Sequence, residues 1–242
     1  MQDHTEDIIW RVLTGSHARF AVGSGAVRRY APGYSPIAAF ADCMHPDLEG
    51  LGRLATRGER IYLDGWTGPP PPGWDIDAER PMLKMLWQGE QPAADEAFAA
   101  VLLGPAHVEE AMALAALTRP GPFGPRTMEL GEYYGFFEDG RLVAMAGERM
   151  HAGRLREISG VCTHPDFQGR GLARRLTARL IRRQLARGET PFLHVIADND
   201  AARTLYQGMG FTCRCETLLR IVRIDDGAAE PSQGLPQSAA PG

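Results

Sequence analysis

Residues 161–173 read VCTHPDFQGRGLA, an extended apolar run and a proline corner followed by Gln168-Gly169-Arg170-Gly171-Leu172-Ala173, which opens a long helical pattern. Two glycines and a small residue at the start of a helix leave several peptide N–H groups free and uncovered, which is a way of holding a diphosphate. The chemistry implied is the binding of a phosphate-bearing cofactor. Downstream, Asn199-Asp200-Ala201-Ala202-Arg203-Thr204-Leu205-Tyr206 is closed by Gly210-Phe211. Asn199 and Tyr206 are seven residues apart, two helical turns, so they share a face with the small Ala202 between them.

Spacing narrows the cofactor. A nucleotide P-loop needs Gly-x4-Gly-Lys-Ser/Thr, and no Lys follows these glycines; a dinucleotide fingerprint needs a third glycine where this chain has Arg174. The elements around the loop are regular. Leu172, Leu176, Leu180, Ile181 and Leu185 recur at helical spacing until Gly188, Pro191–Ala197 reads as a buried strand, and Asp198 or Asn199 can cap the next helix. The string Gln-x-x-Gly-x-Ala after Val-Cys-Thr-His-Pro resembles the acyl-CoA loop of the GNAT superfamily of N-acetyltransferases. Asn-x-x-Ala-x-x-x-Tyr followed by Gly-Phe resembles its second signature, and the two together carry the resemblance over about residues 130–224.

The resemblance implies acetyl-CoA as co-substrate, transfer by direct attack of a primary amine, and no metal. It assigns the diphosphate to the amides of Gln168, Gly169, Arg170, Gly171, Leu172, Ala173 and Arg174, and the pantetheine arm to the backbone of Val161 and Thr163 with Asn199 and Ala202 alongside. Tyr206 is the expected general acid, giving its phenolic proton to the departing thiolate. In the family's histone-modifying branch a glutamate eleven residues before the Gln acts as base; that position is Glu157. Along Arg156–Thr163, Glu157 alternates with Ile158 and shares a face with Ser159, Val161 and Thr163 unless a bulge at Gly160 shifts the phase. Glu148 on the preceding strand is the rival base, and water is a third possibility, since an amine of pKa about 10.4 needs only a relayed proton. Phe123 and Arg126, in the proline-rich Arg119–Arg126 loop, are candidates for contact with the acceptor. A non-catalytic acyl-CoA-binding module is the alternative to an enzyme.

Composition sets outer limits. The chain has 242 residues, 44% hydrophobic, with formal net charge −4, enough for one large or two small cores. Arg170, Arg174, Arg175, Arg179, Arg182, Arg183 and Arg187 crowd one helix without an acidic residue, but no nucleic-acid motif accompanies them. Arg170 and Arg174 fall where phosphates would lie, and the rest are expected on a solvated face. Cys43, Cys162, Cys213 and Cys215 show no metal-ligand spacing, and reduced thiols are expected. No apolar run reaches the roughly 20 residues of a membrane span, and MQDHTEDIIW is acidic rather than a basic leader, so a cytoplasmic monomer or homodimer is expected.

The expected fold is α/β: a mixed, mainly antiparallel central sheet flanked by helices, with a smaller amino-terminal α/β lobe. Residues 97–226 form the expected acetyltransferase domain, beginning with a strand Phe98–Leu103 and a helix Glu109–Leu117. Gly131–Glu138 and Arg141–Met150 read as a hairpin turning at Asp139-Gly140. Residues 1–96 carry a helix Asp7–Leu13 and strands near Ala26–Tyr30, Arg60–Leu63 and Met82–Trp87. They also echo the loop: His45-Pro-Asp-Leu-Glu-Gly-Leu-Gly52 and Arg57-Gly-Glu59 beside His164-Pro-Asp-Phe-Gln-Gly-Arg-Gly171 and Arg187-Gly-Glu189. This suggests a degenerate GNAT-like lobe unable to bind coenzyme A, because Glu49 and Leu51 stand where Gln168 and Arg170 do. Residues 227–242, poor in apolar side chains, are expected to be disordered.

Overall fold

The structure is a computed structural model, and it describes residues 7–96 and 98–224. The chain runs α1 (Ile8–Thr14), β1 (Ala21–Val22), β2 (Val27–Tyr30), β3 (Ile37–Phe40), α2 (Leu48–Leu54), β4 (Arg60–Asp64), β5 (Trp74–Trp87) and β6 (Val101–Leu102). It continues through α3 (Val108–Thr118), β7 (Tyr133–Glu138), β8 (Arg141–Ala152), β9 (Leu155–Thr163), α4 (Leu172–Ala186), β10 (Thr190–Ile196), α5 (Asp200–Gln207) and β11 (Phe211–Ile224). The expected tail lies outside the described residues.

The strands form one sheet in the order β1-β2-β3-β4-β11-β5-β10-β9-β8-β7-β6. Its pairs are antiparallel except β3 with β4 and β9 with β10. The expected α/β class with a mainly antiparallel sheet holds. The boundary expected near residue 97 falls in the connection between β5 and β6. That boundary divides the chain but not the sheet, because β5 lies between β10 and β11 while β11 lies beside β4. The sequence echo has a topological counterpart: β3, α2 and β4 repeat the order of β9, α4 and β10, each a parallel pair joined by a helix.

Helices cover both faces. On one, Leu172, Leu176, Leu180 and Ile181 of α4 pack on Val143, Ala144 and Ala146 of β8, Ile158 of β9 and Leu193 and Val195 of β10, with Tyr206 and Phe211 joining from α5 and β11. On the other, α1 buries Ile8, Ile9, Val12 and Leu13 against Tyr30, Met150, Leu155 and Phe192, and α3 buries Ala111, Leu114 and Ala115 against Tyr133, Met145 and Cys162. Asp139 and Gly140 turn the β7–β8 hairpin at φ 51° and 75°, as an Asp-Gly pair favours. The strand expected over Phe98–Leu103 shrinks to Val101–Leu102, whereas β5 begins eight residues before the expected Met82. Its long amino-terminal half is held by pairing with β11, a partner distant in sequence.

Candidate active site

The site is made by two strands that start together and part. β9 and β10 are paired in parallel only at Leu155 with Thr190, Arg156 with Pro191 and Glu157 with Phe192. Beyond that point β9 stays with β8 and β10 with β5, so a fork opens between them. Gly160 sharpens the departure. Its φ is 64°, and between Cys162 and Ser159 β9 uses one residue more than β8 does between Met145 and Gly147, which is a β-bulge. The phase flips across it: Ile158 packs under α4 while Cys162 faces α3. Glu157 therefore does not share a face with Val161, which packs on the α4 side.

A cavity of about 500 Å³ runs through the fork. Val161, Asn199, Ala202 and Tyr206 line it from the α4 and α5 side; Arg149, Glu157 and His194 line it from the other, together with Ile9, Ile37, Tyr62 and Asp64 of the amino-terminal part. Tyr206 is buried, meets Phe211 edge to face at 5.9 Å, and its phenol is pushed up to about 12 by burial. It stays protonated at neutral pH, the state an acid requires. Asn199 caps α5 by accepting from the Ala202 amide at 3.1 Å.

Outside the cavity, Gly169 and Gly171 carry φ 76° and 73° with nothing within 4 Å of where a Cβ would stand. Gln168, Gly169, Arg170 and Gly171 are exposed, Ala173 is half-buried, and Leu172 anchors the helix in the core. Among the described residues none accepts a hydrogen bond from the peptide nitrogens of residues 169–174. That cradle fits a diphosphate. Thr163, half-buried at the end of β9, pairs with Ala144 and leaves the opposite strand edge toward the fork.

The arginines in and just before α4 do more than face solvent. Arg170 pairs with Glu138 at 2.7 Å, Arg175 with Asp95 at 2.7 Å and Arg183 with Glu132 at 2.6 Å, while Arg174 donates to the Gly208 carbonyl at 3.3 Å. In the echo loop, by contrast, the Asp47 carboxylate accepts from the Gly50 amide at 2.8 Å and occupies the place an anion would need.

Three of the expected site residues fall elsewhere. Glu148 is buried beside α4, accepting from Gln184 at 3.0 Å and paired with Arg187, and does not line the cavity. Strand pairing turns it away from Glu157 into a charge cluster at the helix end. Arg126 lies over the Tyr34 ring at 4.2 Å and pairs with Glu129 at 2.9 Å, and Phe123 packs edge to face on Tyr133 at 5.6 Å. Their loop reaches the cavity through Arg119, Pro120, Gly121 and Pro122 instead.

Glu157 is 1% exposed. Burial alone would raise its pKa, but the Arg149 guanidinium, at 3.0 and 2.7 Å, and His194 Nδ1, at 2.8 Å, outweigh it and hold the carboxyl at about 2. So low a pKa makes a weak base. Nearby, Lys84 and Asp64 form a second buried pair at 2.6 Å, with Asp64 Oδ1 left without a hydrogen-bond partner. Arg149, His194, Lys84 and Asp64 escaped the sequence reading; the available signal was a charged or polar residue inside otherwise apolar strand runs. Among the described residues no cluster of His, Cys, Asp and Glu is arranged to hold a metal, and no helix is long and apolar enough to cross a membrane.

The chain that forms this forked sheet, with an open amide cradle at one helix and a buried tyrosine on the next, resembles known proteins. The family described as FR47-like protein matches residues 133–220. A solved GNAT-family structure from Novosphingobium aromaticivorans is 40% identical, covers 91% of this chain and 98% of its own, and superposes with a TM-score of 0.84. The chain belongs to the GNAT family. Over 83 residues it is 40% identical to the N-alpha-acetyltransferase RimI of Mycobacterium tuberculosis, covering 33% of this chain and 51% of that one. Over 83 residues it is 41% identical to mycothiol acetyltransferase of Streptomyces griseus, covering 32% and 27%. The chain thus spans about half or less of the curated relatives it matches.

Proposed function

We propose that the protein transfers an acetyl group from acetyl-CoA to a primary amine by direct attack. The observation that carries this reading is the cavity passing through the β9–β10 fork, which gives a thioester on the α4 side and an amine on the α1 side a common meeting point. The amides of residues 169–174, with Arg174, would hold the diphosphate, and the unpaired edge of β9 at Val161 and Thr163 would take the pantetheine arm. Tyr206 acts as the general acid, and its position beside Asn199 and Ala202 supports that role. We also infer that residues 1–96 are a degenerate copy of the same unit, which supplies the acceptor side. The repeated β-α-β order supports it, and so does the Asp47 carboxylate in the echo loop.

Tyr206→Phe tests the reading. It removes one oxygen and leaves the ring against Phe211, so acetyl-CoA binding, measured by calorimetry, should stay within threefold of about micromolar, on the order of −8 kcal/mol. Thiol release with a panel of amines should fall about 10²- to 10⁴-fold. Unchanged turnover would remove Tyr206 from its role, and binding without thiol release in the wild type would make the protein an acyl-CoA-binding module.

A further inference from the structure

Glu157 and His194 are the first polar side chains at the closed end of the fork, one on each diverging strand. A carboxylate only accepts, so the 2.8 Å contact between Glu157 Oε1 and His194 Nδ1 fixes the imidazole proton on Nδ1. In the neutral ring Nε2 is then left as a bare lone pair. That atom is buried, has no hydrogen-bond partner within the protein, and belongs to a side chain that lines the cavity and is 7% exposed. A buried polar atom without a partner costs free energy unless something fills its valence.

Resting on the acetyl-transfer reading above, we propose that His194 is the general base for the acceptor amine and that Glu157, held by Arg149, is its positioning residue. The acceptor enters from the face built by Ile9, Ile37, Tyr62 and Asp64. His194 Nε2 takes one proton from the ammonium and passes it to solvent. The nitrogen lone pair forms the N–C bond, and the C–S bond breaks with its electrons on sulfur, which takes the Tyr206 phenolic proton. The remaining surplus proton on the new amide nitrogen restores the phenol, so acetylated amine, thiol and one released proton balance the reaction.

The groups around His194 suit the role. Glu157 approaches from β9, Arg149 from β8 behind Glu157, Lys84 is the residue opposite on β5, and Asp64 on β4 neutralises Lys84 at 2.6 Å. Tyr30, bonded to His17 at 2.9 Å, and Tyr133 add phenols that burial keeps protonated. Phe192 meets the imidazole edge to face at 5.6 Å and limits its rotation.

Two measurements on the full chain decide the matter. In ¹⁵N-histidine NMR at about pH 7.5, His194 should carry its proton on Nδ1 alone; a proton on Nε2, or on both nitrogens, overturns the proposal. In thiol release with phenethylamine, spermidine, glycinamide and an alanyl peptide as acceptors, His194→Gln should lose about 100-fold or more in kcat. It should also lose the acidic limb of the pH profile, with acetyl-CoA affinity unchanged by calorimetry. Glu157→Gln should keep the limb but move it to lower pH, which a purely structural role would not do. His194→Gln with wild-type turnover and profile overturns the proposal alone, whereas a wild type that gives no heat with acetyl-CoA sinks the acetyl-transfer reading instead.

Discussion

Arg149 and Glu157 are 7% and 1% exposed and share two hydrogen bonds, at 3.0 and 2.7 Å, so neither charge can be solvated if the other is removed. Arg149→Met keeps the stem volume and strands the carboxylate. The Glu157 carboxyl is held below its ordinary value, against burial, by Arg149 and then His194. Breaking one side of a buried pair typically costs about 3–5 kcal/mol. For a chain of this size that lowers Tm by about 6–20 °C, at about 2–4 °C per kcal/mol. The sign of the pH dependence should invert as well. In the wild type the folded pKa lies below the unfolded one, so the pair's contribution is complete above about 4.5 and is lost as pH falls toward 2. In Arg149→Met burial, the largest influence on the carboxyl, is opposed only by the His194 contact and raises the carboxyl, so stability increases as pH falls. The double variant Arg149→Met/Glu157→Gln removes both charges at similar volume and should return to within about 1–2 kcal/mol of wild type. Denaturant melts across pH supply the assay. A single variant losing less than about 1 kcal/mol, or a double variant no better than the single, refutes the argument.

Two further outcomes follow from Gly160 on β9 and from His17 between α1 and β1. Gly160→Ala places a Cβ 3.0 Å from the Tyr133 ring at a φ of 64°, and should cost about 1–2 kcal/mol or more while weakening acetyl-CoA binding; thermal melts and calorimetry read both, and an unaltered Tm would contradict it. His17 is held at about 4 by burial first and by the nearby His151 and Arg156 next, so its contribution is complete above 6.5 and fades as pH drops toward 4. Denaturation midpoints should therefore rise with pH over that window, and His17→Asn should flatten the slope.

What the sequence made legible was local. The Gln168–Ala173 turn, the amphipathic run through Leu172, Leu176 and Leu180 and the Asp139-Gly140 hairpin are each specified within about fifteen residues, because helix period, caps and turn chemistry act over that range. Gly160 was legible too, since a glycine inside a strand signals a bulge. The amino-terminal strands were partly hidden for the opposite reason. Ala78 pairs with Ile221 and Lys84 with Cys215 across more than a hundred residues of chain, and no local pattern encodes which distant strand will be the partner.

The acceptor side was illegible for a sharper physical reason. Whether Glu157 reaches solvent, coenzyme or histidine depends on two register shifts in β8 and β9, one at Gly160 and one between Glu148 and His151. Each shift moves every later side chain to the other face. The first separates Glu157 from Val161. The second, in which β8 spans three positions against two on β9, falls at Arg149, the residue that meets Glu157. In the register set by Gly147 with Ser159 and Glu148 with Ile158, the next position on β8 is Arg149 and the next on β9 is Glu157, so the two charges share a face and meet. The positioning carboxylate and the cation that holds it thus lie between two irregularities of pairing, and strict alternation along β9 puts Glu157 on the face of Val161, whereas His194 stands on β10, which pairs with β5 without a shift.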